Sequence, residues 1–232
     1  LAPLAVLFLA SAAPAAEPQT RLNVFDPAVV LAPGGRTAAC DQLQFTPDGR
    51  QLLAVGDDKC VHVWDVQPAE LQYARPAWWN SFRERRGSMF ALAVSPDSKR
   101  AVAGGLGRLT SDVVVFDLPS RRIAAALSAA IQPGYAKATG TVWAVAFHPT
   151  KPLVAVGQED GSIWVWDHAA PPADAARRVS APLLNDQGAY DILARTSWVG
   201  FGPDGDIWFA RRTGDVFSAP ADGSAAPRKR FG

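Results

Sequence analysis

Near-continuous apolar runs, tight-turn prolines between them, and an evenly spaced apolar–aromatic–Asp ending together predict an all-β chain built as a β-propeller of repeated blades. The ending occurs as Val61-His62-Val63-Trp64-Asp65, Val113-Val114-Val115-Phe116-Asp117 and Ile163-Trp164-Val165-Trp166-Asp167, and its aromatic recurs at 116 − 64 = 52 and 166 − 116 = 50 residues. Such spacing marks one unit used repeatedly.

Each unit begins with an inner strand of small residues, Ala91-Leu92-Ala93-Val94, Ala144-Val145-Ala146-Phe147 and Val199-Gly200-Phe201-Gly202. These narrow strands belong near the axis of a wedge. A turn follows at Thr46-Pro47-Asp48-Gly49, Ser95-Pro96-Asp97-Ser98, His148-Pro149-Thr150-Lys151 and Gly202-Pro203-Asp204-Gly205. Proline pre-sets φ at its second position, and Asp and Gly suit the next two, so a hairpin is predicted. Middle strands are predicted at Leu52–Val55, Ala101–Ala103, Leu153–Val156 and Ile207–Ala210. Middle and third strands are apolar almost throughout, which requires cover on both faces. Outer strands are expected at Leu71–Tyr73, Ile123–Leu127 and Val179–Leu183.

These units resemble those of the WD-repeat, or β-transducin-like, family, in a degenerate form of bacterial type. The resemblance spans Arg21 to Ala221 and rests on Trp64-Asp65, Trp166-Asp167 and the turn aspartates Asp58 and Asp160, each seven positions before the terminal aspartate. Asp58, Trp64, Asp65, Phe116, Asp117, Asp160, Trp166 and Asp167 are therefore taken as structural repeat positions: aromatics for packing, aspartates for turns. The sequence departs from the family in lacking a Gly-His dipeptide before the inner strands, so the His-to-Asp hydrogen bond of many family blades is expected to be missing. In the fourth unit Ala219 and Pro220 stand where Trp and Asp would be.

Repeat units are expected over 28–66, 70–118, 121–168 and 178–221, with 222–232 opening a further outer strand. The family commonly closes with seven blades, which implies a fragment of a larger ring; a four-bladed ring and closure by two chains are the alternatives. The apolar run Leu4–Ala10 followed by Ala13-Pro14-Ala15 reads as a signal peptide over 1–15 that lacks its basic start. It predicts export to the periplasm or outside the cell, with no membrane span after cleavage. Cys40 and Cys60 form a candidate disulfide in that compartment, opposed by the ~9.5 Å that an intervening strand imposes.

The balance of 23 Lys and Arg against 22 Asp and Glu gives a net charge of +1, which argues against nucleic acid as partner. Neither a catalytic elbow, a phosphate loop nor a metal-binding cysteine spacing is present. A non-enzymatic platform for proteins or peptides is expected, without cofactor or metal. The alternative is the structural part of a propeller enzyme, such as a quinoprotein-like dehydrogenase, or of a protein whose catalytic domain lies elsewhere. Extra length collects between outer and inner strands at 74–88, 128–140 and 185–196, and insertions on one face mark a binding surface. Trp78, Trp79, Arg83, Arg85 and Arg86, with Tyr135 and Tyr190, are the predicted partner contacts, since Trp and Arg combine large area with directed polar groups.

Overall fold

The proline turns set the polarity of every sheet. Asp48 Oδ1 accepts from the Thr46 hydroxyl at 2.6 Å and the Arg50 amide at 3.1 Å. Asp97 repeats both bonds with Ser95 and Lys99. In the third turn His148 Nδ1 takes the same part, accepting from the Thr150 and Lys151 amides at 3.0 Å each. Each turn thus reverses the chain by satisfying donors locally.

The computed structural model describes residues 38–76, 87–106, 113–127, 141–170, 176–183 and 191–232. All belong to the unit 32–232. They form four antiparallel sheets of four strands. The first holds β1 (Cys40–Phe45), β2 (Gln51–Gly56), β3 (Cys60–Asp65) and β4 (Glu70–Pro76). The second holds β5 (Met89–Val94), β6 (Arg100–Gly105), β7 (Val113–Asp117) and β8 (Arg122–Leu127). Third come β9 (Val142–Phe147), β10 (Leu153–Gln158), β11 (Ile163–Asp167) and β12 (Ala176–Ser180), and fourth β13 (Thr196–Phe201), β14 (Ile207–Arg211), β15 (Val216–Ala219) and β16 (Arg228–Phe231). In each sheet the strands follow chain order from inner to outer.

One outer strand ends before its expected bound. β12 ends at Ser180, not at Leu183, because Pro182 has no amide to extend the ladder. Residues 228–231 hydrogen-bond to β15 and form the outer strand of the fourth sheet. Each sheet therefore takes as its outer strand a segment that the repeat boundaries assign to the following unit.

The inner strands pack in succession, β1 on β5, β5 on β9 and β9 on β13, and β2, β6 and β10 each also meet the next inner strand. Small residues permit this approach: a Cβ at Gly104 on β6 would lie 2.5 Å from Val142 Cγ1 on β9. Three apolar clusters fill the flanks. Leu53, Val55, Val61 and Val63 of the first sheet face Leu92, Val94, Val114 and Phe116 of the second. Trp166 packs among Val102, Val113 and Val115 across the second and third sheets, and Val165 and Val199 join across the third and fourth. In every case the third-strand aromatic position points at the preceding sheet.

The outer strands carry exposed basic residues, Arg122 on β8, Arg177 and Arg178 on β12, and Arg228, Lys229 and Arg230 on β16. The two candidate disulfide cysteines start the first and third strands of the first sheet. Cys40 on β1 pairs with Gly56 of β2 while Cys60 begins β3, so β2 stands between the strands that carry them.

Candidate partner-binding surface

Every sheet has one end where its inner strand starts and its middle strand hands over to the third. This is called here the upper end. Inner strands begin there with a shared irregularity: the register with the middle strand skips one residue, at Asp41, Phe90, Trp143 and Ser197. A β-bulge re-aims the side chain of its extra residue. Four bulges at equivalent positions bring four non-core side chains to one end of the sheets.

A second recurring bond fixes that end. The amides of Asp57, Leu106, Glu159 and Arg212 donate to the carbonyls of Ala39, Ser88, Thr141 and Arg195, at 3.1, 2.9, 2.9 and 2.9 Å. Each ties the turn after a middle strand to the residue before the inner strand, so turn and bulge form one rigid rim.

Across the rim the chemistry changes sheet by sheet. In the first sheet Asp41 has its pKa raised by burial and by the charge of Asp57. In the second and third, the Phe90 and Trp143 rings stack at 4.5 Å with planes 10° apart. Arg195, leading into the fourth, places its guanidinium 4.0 Å from the Trp143 ring centroid. This is a cation–π contact. Among the described residues the buried Trp143 Nε1 and Arg195 Nε donors have no hydrogen-bond partner. Such donors are costly to leave unsatisfied.

The repeat positions lie beside or below this rim. Asp160 accepts from the Ser162 amide at 2.9 Å and its hydroxyl at 2.6 Å. Asp58 accepts from the Cys60 amide at 3.1 Å and pairs with His62. This histidine lies on the third strand and not before the inner strand, so it is not the histidine of the family pattern, and its ring stacks on Trp64 at 5.4 Å. Trp64, Phe116 and Trp166 are buried, 8%, 2% and 3% exposed. Asp65 accepts from Gln51 Nε2, Asp117 from the Ser120 amide and Asp167 from the Ala169 amide, all at the lower end.

The predicted contacts Trp78, Trp79, Arg83, Arg85, Arg86, Tyr135 and Tyr190 lie outside the described residues, as does the candidate signal peptide. Their connections are anchored at the upper end, where β4, β8 and β12 finish and β5, β9 and β13 begin. Sequence reasoning missed Asp41, Phe90, Trp143 and Arg195. A signal was present for three of them: Asp41, Phe90 and Trp143, like Ser197 in the fourth sheet, each stand four residues before the last residue of their inner strand, 45 − 41, 94 − 90, 147 − 143 and 201 − 197. Among the described residues no group of three or more His, Cys, Asp or Glu could hold a metal ion.

The WD domain, G-beta repeat family matches the chain over residues 33–65 and 131–167. The mouse U3 small nucleolar RNA-associated protein 4 homolog is 29% identical over 125 residues, which is 53% of this chain and 17% of that protein. Among solved structures, the RRP9 WD40 repeats superimpose with a TM-score of 0.58 at 16% identity, covering 85% of this chain and 52% of theirs. Chaetomium thermophilum Sqt1 gives 0.60 at 22% identity, covering 85% and 50%. The chain thus spans about half the length of these structures. The mouse and Chaetomium relatives are eukaryotic, unlike the bacterial type expected. WD40-repeat proteins are generally non-catalytic scaffolds that bind proteins. With two stretches matching the WD-repeat family model and four sheets ordered as in those propellers, the chain has the fold of a WD40-type β-propeller.

Proposed function

We propose that this chain is a non-catalytic interaction scaffold that holds a protein or peptide partner on its upper end. The observation that carries the proposal is the Phe90–Trp143–Arg195 stack, which sets the bulge residues of two consecutive sheets beside the arginine that leads into the next. A partner acceptor reaching Trp143 Nε1 or Arg195 Nε would relieve two unsatisfied donors. The long connections carrying Trp78, Trp79, Arg83, Arg85, Arg86, Tyr135 and Tyr190 would extend the same surface. The leader-like residues 1–15 support an exported protein meeting its partner in the periplasm or outside the cell.

The likeness to a U3 small nucleolar RNA-associated protein favours a second reading, in which the partner is a protein within a ribonucleoprotein. One experiment addresses both. Partners captured by the full chain are compared with those captured by Trp143→Ala, Arg195→Ala and Trp78→Ala/Trp79→Ala, with and without ribonuclease. Capture that falls about tenfold in the variants, and resists ribonuclease, supports direct protein binding. Capture abolished by ribonuclease supports the second reading, and equal capture by all variants overturns the upper surface as the site.

A further inference from the structure

At the lower end, between the proline turns of the second and third sheets, lies a cleft of about 590 Å³. Lys99, Arg100 and Lys151 line it, together with His168, Asp97 and Asp117. The two carboxylates are engaged by their own turns. Asp97 Oδ1 accepts from the Ser95 hydroxyl and the Lys99 amide, at 2.6 and 3.1 Å. Asp117 Oδ1 accepts from the Ser120 amide at 2.8 Å. The cations are less committed: neither Lys99 nor Lys151, both exposed, enters an ion pair among the described residues. Arg100 Nη1 lies 3.2 Å from His168 Nδ1. Because a guanidinium can only donate, that nitrogen accepts, and the imidazole is neutral with its proton on Nε2. Burial and the Arg100 charge both lower the His168 pKa, in agreement with this form. The cleft therefore presents donors in excess of acceptors. Pro96, Pro149, Pro152 and Phe147 supply apolar surface beside them.

We infer that this lower cleft binds the carboxylate side chains of an acidic protein segment, as a site separate from the upper end. Three cations suit one or two carboxylates. They are few for a nucleic-acid backbone, whose phosphates are closely spaced, and part of their charge is already balanced by Asp97 and Asp117. Hydrogen bonds within their turns keep both of these carboxyls below the usual carboxylate range, and therefore charged. Proline rings and Phe147 can pack against the aliphatic stem of a glutamate.

The test uses the full chain and a fluorescein-labelled hexaglutamate peptide, followed by anisotropy at low salt. Saturable binding is expected, at least tenfold weaker in Lys99→Gln/Lys151→Gln and weakened again as salt is raised. Because both lysines are exposed, the variant should melt with the parent protein. Arg195→Ala should bind the peptide unchanged, which separates this site from the upper surface. Equal affinity in the double variant, no saturable binding, or tighter binding of inorganic phosphate or oligouridylate than of the peptide would overturn the inference.

Discussion

At Gly161 the chain turns with φ of +78°, and a Cβ there would lie 2.7 Å from the Ala194 carbonyl oxygen. Gly161→Ala should combine a left-handed backbone penalty with that collision, lowering the unfolding free energy by about 1–3 kcal/mol. Urea denaturation would measure it, and an unchanged midpoint would show that the turn relaxes freely. Histidine sets a pH dependence. Burial and Lys151 lower the His148 pKa, and burial and Arg100 lower that of His168, from an ordinary 6.5. Just below pH 6.5 the unfolded chain binds protons that the folded chain refuses, so stability is full above that pH and falls as pH decreases towards the folded values. Urea midpoints at pH 7.5, 6.5 and 5.5 should decline in that order, with a shallower decline in His168→Gln; a flat series would contradict the assignment. Turn residues were legible in the sequence because Pro-Asp-Gly chemistry is local. Replacement of aspartate by His148 as the turn acceptor was not, because it depends on which way one imidazole faces.

Among the strands, the third carries the largest packing group. Trp166 spans the flanks of two sheets, and Trp166→Ala should cost about 3–5 kcal/mol, more than an exposed substitution by a wide margin. Thermal and urea unfolding of the variant would check this; a loss below 1 kcal/mol would mean that the flank collapses to fill the space. In the fourth sheet the equivalent position is Ala219, paired with Ile207 as Trp166 is paired with Val154. Bulk there moves to the stacked Phe209 and Phe217, 5.4 Å apart, with the Arg211 guanidinium 4.3 Å from the Phe217 ring. The missing Trp-Asp was visible in the sequence, whereas its compensation on two other positions required the register. Bulges were hidden for the same reason. Phe90 and Trp143 look like ordinary members of an apolar run until their middle-strand partners show that neither has one.

At the scale of the whole fold, periodicity announced the four sheets because each must bury its flanks against neighbours. It did not reveal that the two ends differ in chemistry, with an aromatic and arginine stack above and a lysine-lined cleft below. The capture and peptide experiments treat these ends as independent, and each should leave the other's binding intact. The basic residues of β8, β12 and β16 bear on a different hazard. An outermost strand has one row of backbone groups facing water and could template the addition of a foreign chain. A like copy approaching Arg228, Lys229 and Arg230 would have to bring its own positive charges alongside them. Mutual repulsion thus guards the margins of a protein rich in apolar strands against growth into fibres.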